Sequence, residues 1–393
     1  MLRGDQEERR SRLAAQFHSL FGSEPGGFAR APGRVDLMGS HTDYNLGFVM
    51  TMTVDRDTWL AFRPRADGKV RVHSSNLGTA SEFELSAVTH DPANPWTDYV
   101  RGVAWALQEA GHVLTGFDGL IESTIPFGSG LSSSAALEMA AAVTFQAVSG
   151  IRLDPIGMAL LGQRAENAFV GVNCGILDQY SSALGRAGTA LLLDCRDLSS
   201  RPVPVACGLS VVIGDTCAER NLAGTEYGER RAQCEAGVGL LRQFYPAIGA
   251  LRDVSCAQFE EHAGALPTDV EKRCRFIIEE NQRVLDMAQA LPSGDRPAIR
   301  WLTAESWAGA QDLYEIGSRP MALMIEAMLG APGIIGARQA GAGFGGCMVA
   351  FIESDQTENF AGHVAECYAL RSGLTPKVYA VQASDGAGLL TDC

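Results

Sequence analysis

The sequence predicts an α+β fold made of two domains, and three observations support this prediction. The chain has 393 residues, and one domain commonly holds about 150. Helical and strand patterns are mixed along the chain with long connections, unlike the regular alternation of a doubly wound sheet. Two apolar strand patterns, at 187–195 and 209–216, flank a polar turn. We place the domain boundary there, which gives an N-terminal domain of residues 1–200 and a C-terminal domain of residues 201–393.

Residue periodicity and helix start and stop signals predict the longer elements. Alternating β-branched residues predict a strand at 49–65, and helical spacing that ends at a glycine predicts a helix at 97–111. Asp154 followed by Pro155 is typical of a helix start, because the aspartate accepts from free N–H groups and the proline has none to satisfy. A long helix is predicted at 270–291.

Composition and charge exclude several classes of protein. Hydrophobic residues make up 46% of the chain and the mean hydropathy is +0.01, which excludes a disordered chain. The formal net charge of −14, without a run of basic residues, argues against nucleic acid or anionic lipid as a partner. The three lysines do not follow a glycine loop, which excludes a lysine-dependent phosphate loop.

The N-terminus and the cysteines predict a cytoplasmic protein. The first ten residues are charged and no apolar segment follows them, so we expect no secretory signal. No apolar run approaches the ~18 residues that a membrane span needs. The ten cysteines include no CxxC pair, and we expect them to be reduced thiols rather than a disulfide framework or a zinc site.

The first of three glycine-centred motifs is APGRVDLMGSHTDYNLG at 31–47. Strand alternation places Arg34 and Asp36 on one face, and Gly39 ends the strand. The following turn carries a hydroxyl, an imidazole and a carboxylate, on Ser40, His41 and Asp43. Such a cluster is suited to a polyhydroxylated ligand; the alternative is a solvated turn after an edge strand.

The second motif, PFGSGLSSSAALEMAAAV at 126–143, places two glycines and three serines before an apolar helix. The N-terminus of a buried helix offers free N–H groups and a positive dipole end, which favour an anion. Ser133 or Ser134 could add a hydroxyl ligand to a divalent cation bound to phosphates. The alternative is simple serine capping of the helix.

The third motif, GAGFGGC at 341–347, matches the glycine spacing of dinucleotide-binding loops. That fingerprint requires a helix after the loop, whereas the residues that follow here have strand character. A dehydrogenase is therefore excluded, and the glycines Gly341, Gly343, Gly345 and Gly346 are interpreted as a structural loop that allows close backbone approach.

A fourth segment, at 165–185, carries polar residues in an otherwise apolar stretch. A buried carboxylate needs a charged partner or a cation, so Glu166 and Asp178 are functional candidates. Helix capping or a buried ion pair is the alternative.

Together these motifs resemble the GHMP kinases, and within them the galactokinase family. The family's GRVNLIGEHTDYN is GRVDLMGSHTDYN here, and its phosphate loop, GLSSSA followed by serine or alanine, is matched at 130–136. Its CGIMDQ is CGILDQ here, and its GAGFGGC is identical. The resemblance covers nearly the whole chain. It implies an N-terminal domain with a left-handed βαβ unit of the kind known from a ribosomal protein, and a ferredoxin-like C-terminal domain. A cleft between them would hold a monosaccharide and MgATP.

The resemblance also implies a role for each matching residue. Asp178 would orient and deprotonate the anomeric C1 hydroxyl, and Arg34 would pair with Asp178, keep it ionised and stabilise charge on the transferring phosphoryl group. The implied sugar contacts are Ser40, at the family's glutamate position, with His41, Asp43, Gly175 and Tyr227. The implied ATP contacts are Trp96 and Tyr99 beside the adenine, with Gly128, Ser129, Gly130, Leu131, Ser132, Ser133 and Ser134 around the phosphates. Mg²⁺ would be held by Glu166 with Ser133 or Ser134.

Two residues depart from the family's first motif. Its asparagine is Asp36 here, and its glutamate, a ligand of the sugar's C6 hydroxyl, is Ser40. Loss of that carboxylate removes a specificity contact, which makes galacturonate or L-arabinose an alternative to galactose. A further alternative is a non-catalytic galactokinase-like sugar sensor, although such proteins lose the serine–alanine pair that Ser134 and Ala135 retain. We expect a monomeric, ATP-dependent sugar 1-kinase, with galactose as the first expectation for its substrate.

Overall fold

The computed structural model describes residues 3–218, 223–341 and 343–390. The strands in chain order are β1 (Gly27–Met38), β2 (Phe48–Arg65), β3 (Lys69–Ser74), β4 (Thr79–Glu84), β5 (Gly116–Ser123), β6 (Thr189–Asp194), β7 (Ser200–Pro204), β8 (Leu209–Asp215), β9 (Ile334–Gln339), β10 (Cys347–Glu353), β11 (Lys377–Val381) and β12 (Gly388–Leu389). The α-helices are α1 (Arg3–Phe21), α2 (Asp98–Glu109), α3 (Ser133–Ser149), α4 (Pro155–Arg164), α5 (Leu177–Leu184), α6 (Ala223–Leu241), α7 (Cys256–His262), α8 (Thr268–Ser293), α9 (Arg296–Asp312), α10 (Arg319–Leu329) and α11 (Thr357–Ser372). A π-helical turn, Ala165–Val170, follows α4.

The first sheet is built around the long antiparallel pair β1 and β2. Strand order is β12-β1-β2-β5-β3-β4, and β6 with β7 extends the sheet from the other end of β2. The pairing between β1 and β2 shifts register between Pro32 and Arg34 and again between Asp36 and Met38. Bulges of this kind change the direction of side chains, and here they flank the segment that carries Arg34 and Asp36.

The second sheet has the order β11-β8-β10-β9, and all its neighbouring strands are antiparallel. Its central strand β10 follows the glycine loop directly, at Cys347. The predicted strand after the third motif is therefore confirmed, as is the exclusion of a dinucleotide-binding loop.

Apolar packing joins the two sheets. One core lies between the first sheet and helices α2 to α5, which is why α3 is apolar around most of its circumference. A second core packs α6, α8, α10 and α11 with residues of the second sheet. A third contains residues of both sheets and of α8, including Val35, Met287 and Phe351. The end of β1 is thus held between the two halves of the chain.

The α+β prediction is confirmed, and the longer predicted elements form as β2, α2, α4 and α8. Asp154 caps α4 by accepting from the backbone N–H groups of Ile156 at 3.0 Å and Gly157 at 2.9 Å. The polar turn before residue 209 contains a strand, β7, that pairs with β6 in the first sheet, and β12 pairs back onto β1. The division at residue 200 stays a prediction.

No helix among the described residues is long and apolar enough to cross a membrane. The nine cysteines of the described part of the chain are all free thiols, consistent with the prediction made from their spacing.

Candidate active site

The turn after β1 is shaped by a glycine that no other residue could replace without a shift. Gly39 has a φ of 105°, and a Cβ there would lie 2.9 Å from both the Phe48 carbonyl oxygen and Val284 Cγ2. The turn that follows presents Ser40 and His41, and His41 itself has a φ of 64°. A strained, buried turn of this kind is typical of a ligand site rather than of a solvated loop.

The two chemically strongest residues of the sequence analysis are in direct contact. Arg34 donates to Asp178 Oδ1 from Nε at 2.8 Å and from Nη2 at 2.5 Å. Its third nitrogen, Nη1, donates to the Gly130 carbonyl oxygen at 2.7 Å. Ser132 donates its hydroxyl to the other oxygen, Asp178 Oδ2, at 2.6 Å. The Asp178 carboxylate is therefore held at both oxygens by side chains from β1 and from the second motif.

The second motif forms a tight loop against β1. Gly128, Gly130 and Ser132 have positive φ values of 72°, 83° and 58°. Arg34 N–H donates to the Leu131 carbonyl oxygen at 3.1 Å, and a Cβ on Gly33 would lie 2.6 Å from that same oxygen. Ser132 occupies the N-cap position of α3 but makes no side-chain cap. The simple capping interpretation therefore does not apply to Ser132, whose hydroxyl holds Asp178 instead.

A cavity of about 830 Å³ lies beside Asp178. All the predicted sugar contacts line this cavity, namely Ser40, His41, Asp43, Gly175 and Tyr227. Asp178 and the two polar residues of β1, Arg34 and Asp36, line it as well. The sequence motifs that are far apart along the chain thus meet at one wall. Gly341, from the third motif, also lines this cavity.

Asp43 is a buried carboxylate on this wall with a strongly raised pKa. Burial, together with the negative charges of Asp178 and Asp36, raises the pKa of Asp43 to about 6. A Cβ on Gly175 would lie 1.8 Å from Asp43 Oδ2, so only glycine leaves the carboxylate in this place.

Aromatic rings hold the imidazole of the turn. His41 Nδ1 lies 2.8 Å from the Tyr44 hydroxyl, which lies 2.7 Å from the hydroxyl of Tyr314. The ring of Tyr227 is 5.3 Å from that of His41 between centroids. Burial raises the pKa of Tyr227 well above its usual value, so the phenol stays neutral and can donate a hydrogen bond.

Asp36 and Ser40 are joined to a buried charge cluster. Ser40 donates its hydroxyl to Asp36 Oδ2 at 2.9 Å, and Arg338 Nη2 donates to Ser40 Oγ at 2.9 Å and to Glu280 Oε1 at 3.1 Å. Burial raises the pKa of Asp36, and the Arg338 charge opposes that shift. For Glu280 burial acts in the same direction, but the charges of Arg283 and Arg338 bring its pKa below the usual value.

A second buried cluster lies behind Asp178. Gln179 Nε2 donates to Glu166 Oε2 at 2.6 Å and to Glu138 Oε2 at 2.9 Å. Burial raises the pKa of Glu166, and hydrogen bonds from Cys174, Gln179 and Ser134 oppose that shift. Burial and the charge of Glu166 raise the pKa of Glu138 well above its usual value.

The donor set beside Glu166 fits a magnesium ion bound to phosphates. A carboxylate and a serine hydroxyl are hard oxygen ligands, and Mg²⁺ in such sites takes few protein ligands and completes its shell with phosphate oxygens and water. The described residues contain no group of three or more histidine, cysteine or acidic side chains that could hold a metal alone. A cation here would therefore need the nucleotide as a co-ligand.

The predicted nucleotide residues lie outside the lining of this cavity. Trp96 donates its indole N–H to Thr79 Oγ1 at 3.0 Å and packs against the first core. Burial, with the charges of Glu166 and Glu138, raises the pKa of Tyr99 to about 12. Tyr99 therefore lies near the acidic cluster of Glu166 and Glu138.

The third motif supports the site from the C-terminal half. A Cβ on Gly343 would lie 2.7 Å from the Ile316 carbonyl oxygen, and Phe344 N–H donates to that oxygen at 2.8 Å. Gly346 accepts from Thr216 N–H at 3.2 Å, and Gly345 N–H contacts Met321 Sδ at 3.2 Å. These close backbone contacts are consistent with the interpretation of the glycines as a structural loop; Ala342 lies outside the described residues.

Comparisons with known proteins decide the family. The galactokinase galactose-binding signature matches residues 15–64, and the N-terminal domain of the GHMP kinases matches residues 98–186. The galactokinase of Roseiflexus sp. strain RS-1 is 43% identical over 97% of this chain and 97% of its own length. This chain belongs to the galactokinase family. The galactokinase of Chloroflexus aggregans is 44% identical over 93% of this chain and 94% of its own length.

Solved structures agree with this assignment. The galactokinase of Lactococcus lactis, crystallised with galactose, superimposes with a TM-score of 0.91 at 32% identity, covering 97% of this chain and 99% of that one. A mevalonate kinase superimposes with a TM-score of 0.65 at 13% identity, over 91% of this chain and 99% of its own, and shares the fold alone. The predicted two-domain GHMP kinase fold and the class of phosphotransferases acting on an alcohol group are thereby confirmed.

Sequence reasoning missed the residues that support this galactokinase-family site from behind. They are Glu138, Glu280, Arg338, Tyr44 and Tyr314. Glu138 did carry a signal, because it is a lone carboxylate within the apolar helix of the second motif. Arg338 stands three residues before the third motif, within a buried strand, which is also unusual for a charged residue.

Proposed function

We propose that this protein transfers the γ-phosphoryl group of ATP to the C1 hydroxyl of galactose, and that Asp178 is the base. The observation that carries the proposal is the Asp178 carboxylate, fixed by Arg34 and Ser132 at one side of the cavity that His41, Asp43 and Tyr227 line. A carboxylate accepts about four hydrogen bonds, so capacity remains for a sugar hydroxyl. Phosphoryl transfer needs positioning and charge stabilisation more than covalent catalysis, and this site offers both.

Arg34 has two roles in this account. Its guanidinium orients Asp178 through two N–H groups on one oxygen, and its charge offsets that of the carboxylate. Because Arg34 also binds the backbone of the phosphate loop at Gly130, its position is coupled to that of the transferring group. A guanidinium so placed stabilises negative charge that develops on the phosphoryl oxygens.

The remaining cavity residues hold the sugar. Asp43, when ionised, accepts from sugar hydroxyls, and the neutral phenol of Tyr227 donates to one. Gly175 leaves the room that the Asp43 carboxylate occupies. His41 is oriented by Tyr44, which fixes the edge that the imidazole presents to the cavity.

The phosphate loop and the acidic cluster behind Asp178 would hold the nucleotide. The loop from Gly128 to Ser134 would cradle the phosphates at the N-terminus of α3, and Trp96 and Tyr99 would lie beside the adenine. Glu166 and Ser134 would hold Mg²⁺, which, when bound, neutralises charge on the phosphates and keeps them in line. We place the enzyme in the cytoplasm as a monomer.

A coupled assay of ADP release tests the proposal. It compares galactose, galacturonate, L-arabinose and glucose at equal concentration with MgATP. We expect galactose to be preferred, and Asp178→Asn to lower kcat at least about 100-fold, the usual scale of general base catalysis. The exposed Asp312→Asn is the matched control. Sugar binding without ADP release would identify the non-catalytic sensor instead, and full turnover by a folded Asp178→Asn variant would contradict the role of the base.

A further inference from the structure

The hydroxyl of Ser40 and the carboxylate of Asp36 form one polar unit in the wall of the sugar cavity. Both residues line the cavity and both are nearly fully buried. Ser40 Oγ lies 2.9 Å from Asp36 Oδ2 and 3.1 Å from the Gly341 carbonyl oxygen, and both of these atoms are acceptors. Ser40 Oγ also accepts from Arg338 Nη2 at 2.9 Å.

The neighbours of Ser40 determine which role its hydroxyl can have toward a ligand. A serine hydroxyl has one proton and two lone pairs. The proton is taken by Asp36 or by the Gly341 carbonyl, and one lone pair is taken by Arg338. The remaining lone pair can accept from a donor in the cavity. A sugar hydroxyl can provide that donor, whereas a carboxylate cannot.

The charges around Ser40 reinforce this selection. Arg338 is fully buried between two carboxylates, with Nη2 at 3.1 Å from Glu280 Oε1 and Nη1 at 3.7 Å from Asp36 Oδ1. Asp36 Oδ1 and Arg338 Nη1 have no hydrogen-bond partner among the described residues, so their charges compensate each other without a hydrogen bond. A second anion at Ser40 would face the Asp36 carboxylate, which repels it, and Arg338 is already shared between Asp36 and Glu280.

We propose that the Ser40–Asp36 pair selects a neutral, hydroxyl-bearing C6 group, with Asp36 supplying the negative charge that a glutamate at position 40 supplies in the family's signature. In this chain Arg338 has two carboxylates beside it, those of Asp36 and Glu280. This inference rests on the proposed function, because it assigns the C6 end of the same bound sugar. It disfavours galacturonate, which the loss of the glutamate alone would admit.

A substrate series on the unmodified protein is the first test. The series is galactose, 6-deoxygalactose, L-arabinose and galacturonate, measured both as kcat/KM for ADP release and as binding constants by calorimetry. We expect 6-deoxygalactose and L-arabinose to fall at least about tenfold below galactose, because Ser40 then loses its donor. Galacturonate should fall at least about 100-fold, because two like charges meet at a desolvated site.

Two variants and their combination then assign the effect to the pair. Asp36→Asn should lower the ratio of galactose to galacturonate at least about tenfold, because a repelling charge is lost. Ser40→Glu alone places a third carboxylate beside Arg338 and should weaken galactose at least about tenfold. The double variant restores the family's pair, and we expect it to recover galactose kcat/KM to within about threefold, a coupling typical of residues in contact.

The controls separate folding from selection. Ser40→Ala should bring kcat/KM for 6-deoxygalactose to within about threefold of that for galactose, because the hydroxyl is lost while the buried charges stay. If Asp36→Asn does not fold, this variant decides whether Ser40 contacts the C6 group. Asp312→Asn, on an exposed position, should leave every ratio unchanged. Thermal unfolding is recorded for each variant.

The inference is overturned if the unmodified protein takes galacturonate as readily as galactose, or if Asp36→Asn leaves the ratio as it was. A protein that binds galactose selectively without releasing ADP would instead contradict the proposed function. In that case the calorimetric ratios still decide the inference.

Discussion

Gly175 lies directly against the carboxylate of Asp43, such that a Cβ on Gly175 would fall 1.8 Å from Asp43 Oδ2. The two residues come from motifs more than a hundred positions apart in the sequence, and they meet only in the cavity. Because the clash is with the end of a side chain, the carboxylate rather than the fold would give way. Gly175 is therefore best understood as a residue that positions Asp43.

Gly175→Ala is expected to displace Asp43 and to raise the KM for galactose about tenfold, the scale of one lost charged hydrogen bond, with a smaller effect on kcat. Steady-state kinetics with galactose as the varied substrate measures this split. Gly228→Ala is the matched control, because Gly228 lines the same cavity but has open space around it. An unchanged KM in Gly175→Ala would mean that Asp43 does not contact the sugar.

The pKa of Asp43, raised to about 6, predicts the pH dependence of galactose use. A carboxyl with a raised pKa becomes an anion only above that pH, so below about pH 6 Asp43 carries a proton and no longer accepts sugar hydroxyls. We expect kcat/KM for galactose to fall up to about tenfold per unit below that point. Asp43→Asn should be less active with a flatter acid limb, whereas Asp312→Asn should keep the original profile. The same acid limb in Asp43→Asn would assign the titration to another group.

Ser134, rather than Ser133, is predicted to be the serine that supports the metal. Ser134 is the serine whose hydroxyl lies near enough to Glu166 to oppose the rise in the pKa of that carboxyl. Ser134→Ala should raise the Mg²⁺ concentration for half-maximal activity about tenfold, the lower end of what a supporting ligand contributes. Ser133→Ala is the natural comparison and should leave that concentration within about twofold. The reverse order for the two variants would exchange their roles.

Glu138 is predicted to make the folded protein less stable as the pH rises. Burial raises its pKa well above the usual value, so the folded protein keeps a proton that the unfolded chain releases in the normal glutamate range. Stability from this group is therefore complete below that range and is lost as the pH approaches the raised pKa. We therefore compare the melting temperature at about pH 5 and about pH 8. We expect it to fall less over this interval in Glu138→Gln than in the unmodified protein.

The exposed Glu366→Gln is the control for Glu138, since it removes a carboxyl from a helix surface. Asp43 contributes a pH dependence of the same sign in all three proteins, so only the difference between them reports on Glu138. Equal slopes in the unmodified protein and Glu138→Gln would show that Glu138 is already ionised when folded.

The sequence was sufficient to predict most of the residues that the structure brings together around the cavity, because glycine and serine motifs dictate local backbone geometry. The loop before α3 and the turn after β1 follow from Gly130 and Gly39, whose conformations few other residues adopt. The segment near Asp178 was predicted because a carboxylate in an apolar stretch is unusual. Strand β2 and helix α8 followed from periodicity alone.

What the sequence did not predict depends on contacts between distant residues. Arg338 lies in β9 and Glu280 in α8, and no sequence pattern around either residue indicates an ion pair with the other. The pairing of β12 with β1 was not predicted either, because the two strands lie far apart in the sequence. Such partners are chosen by tertiary packing, so periodicity carries no information about them.

The position of the new phosphate on the product tests the central claim most directly. If the C1 hydroxyl lies at Asp178 and the C6 group at the Ser40–Asp36 pair, the product of galactose and ATP should be galactose 1-phosphate. Phosphorus–proton correlation by nuclear magnetic resonance reads this position from the coupling of phosphorus to the anomeric proton. A phosphate coupled to the C6 protons would contradict the assigned orientation, and the absence of any phosphorylated sugar would contradict the proposed reaction.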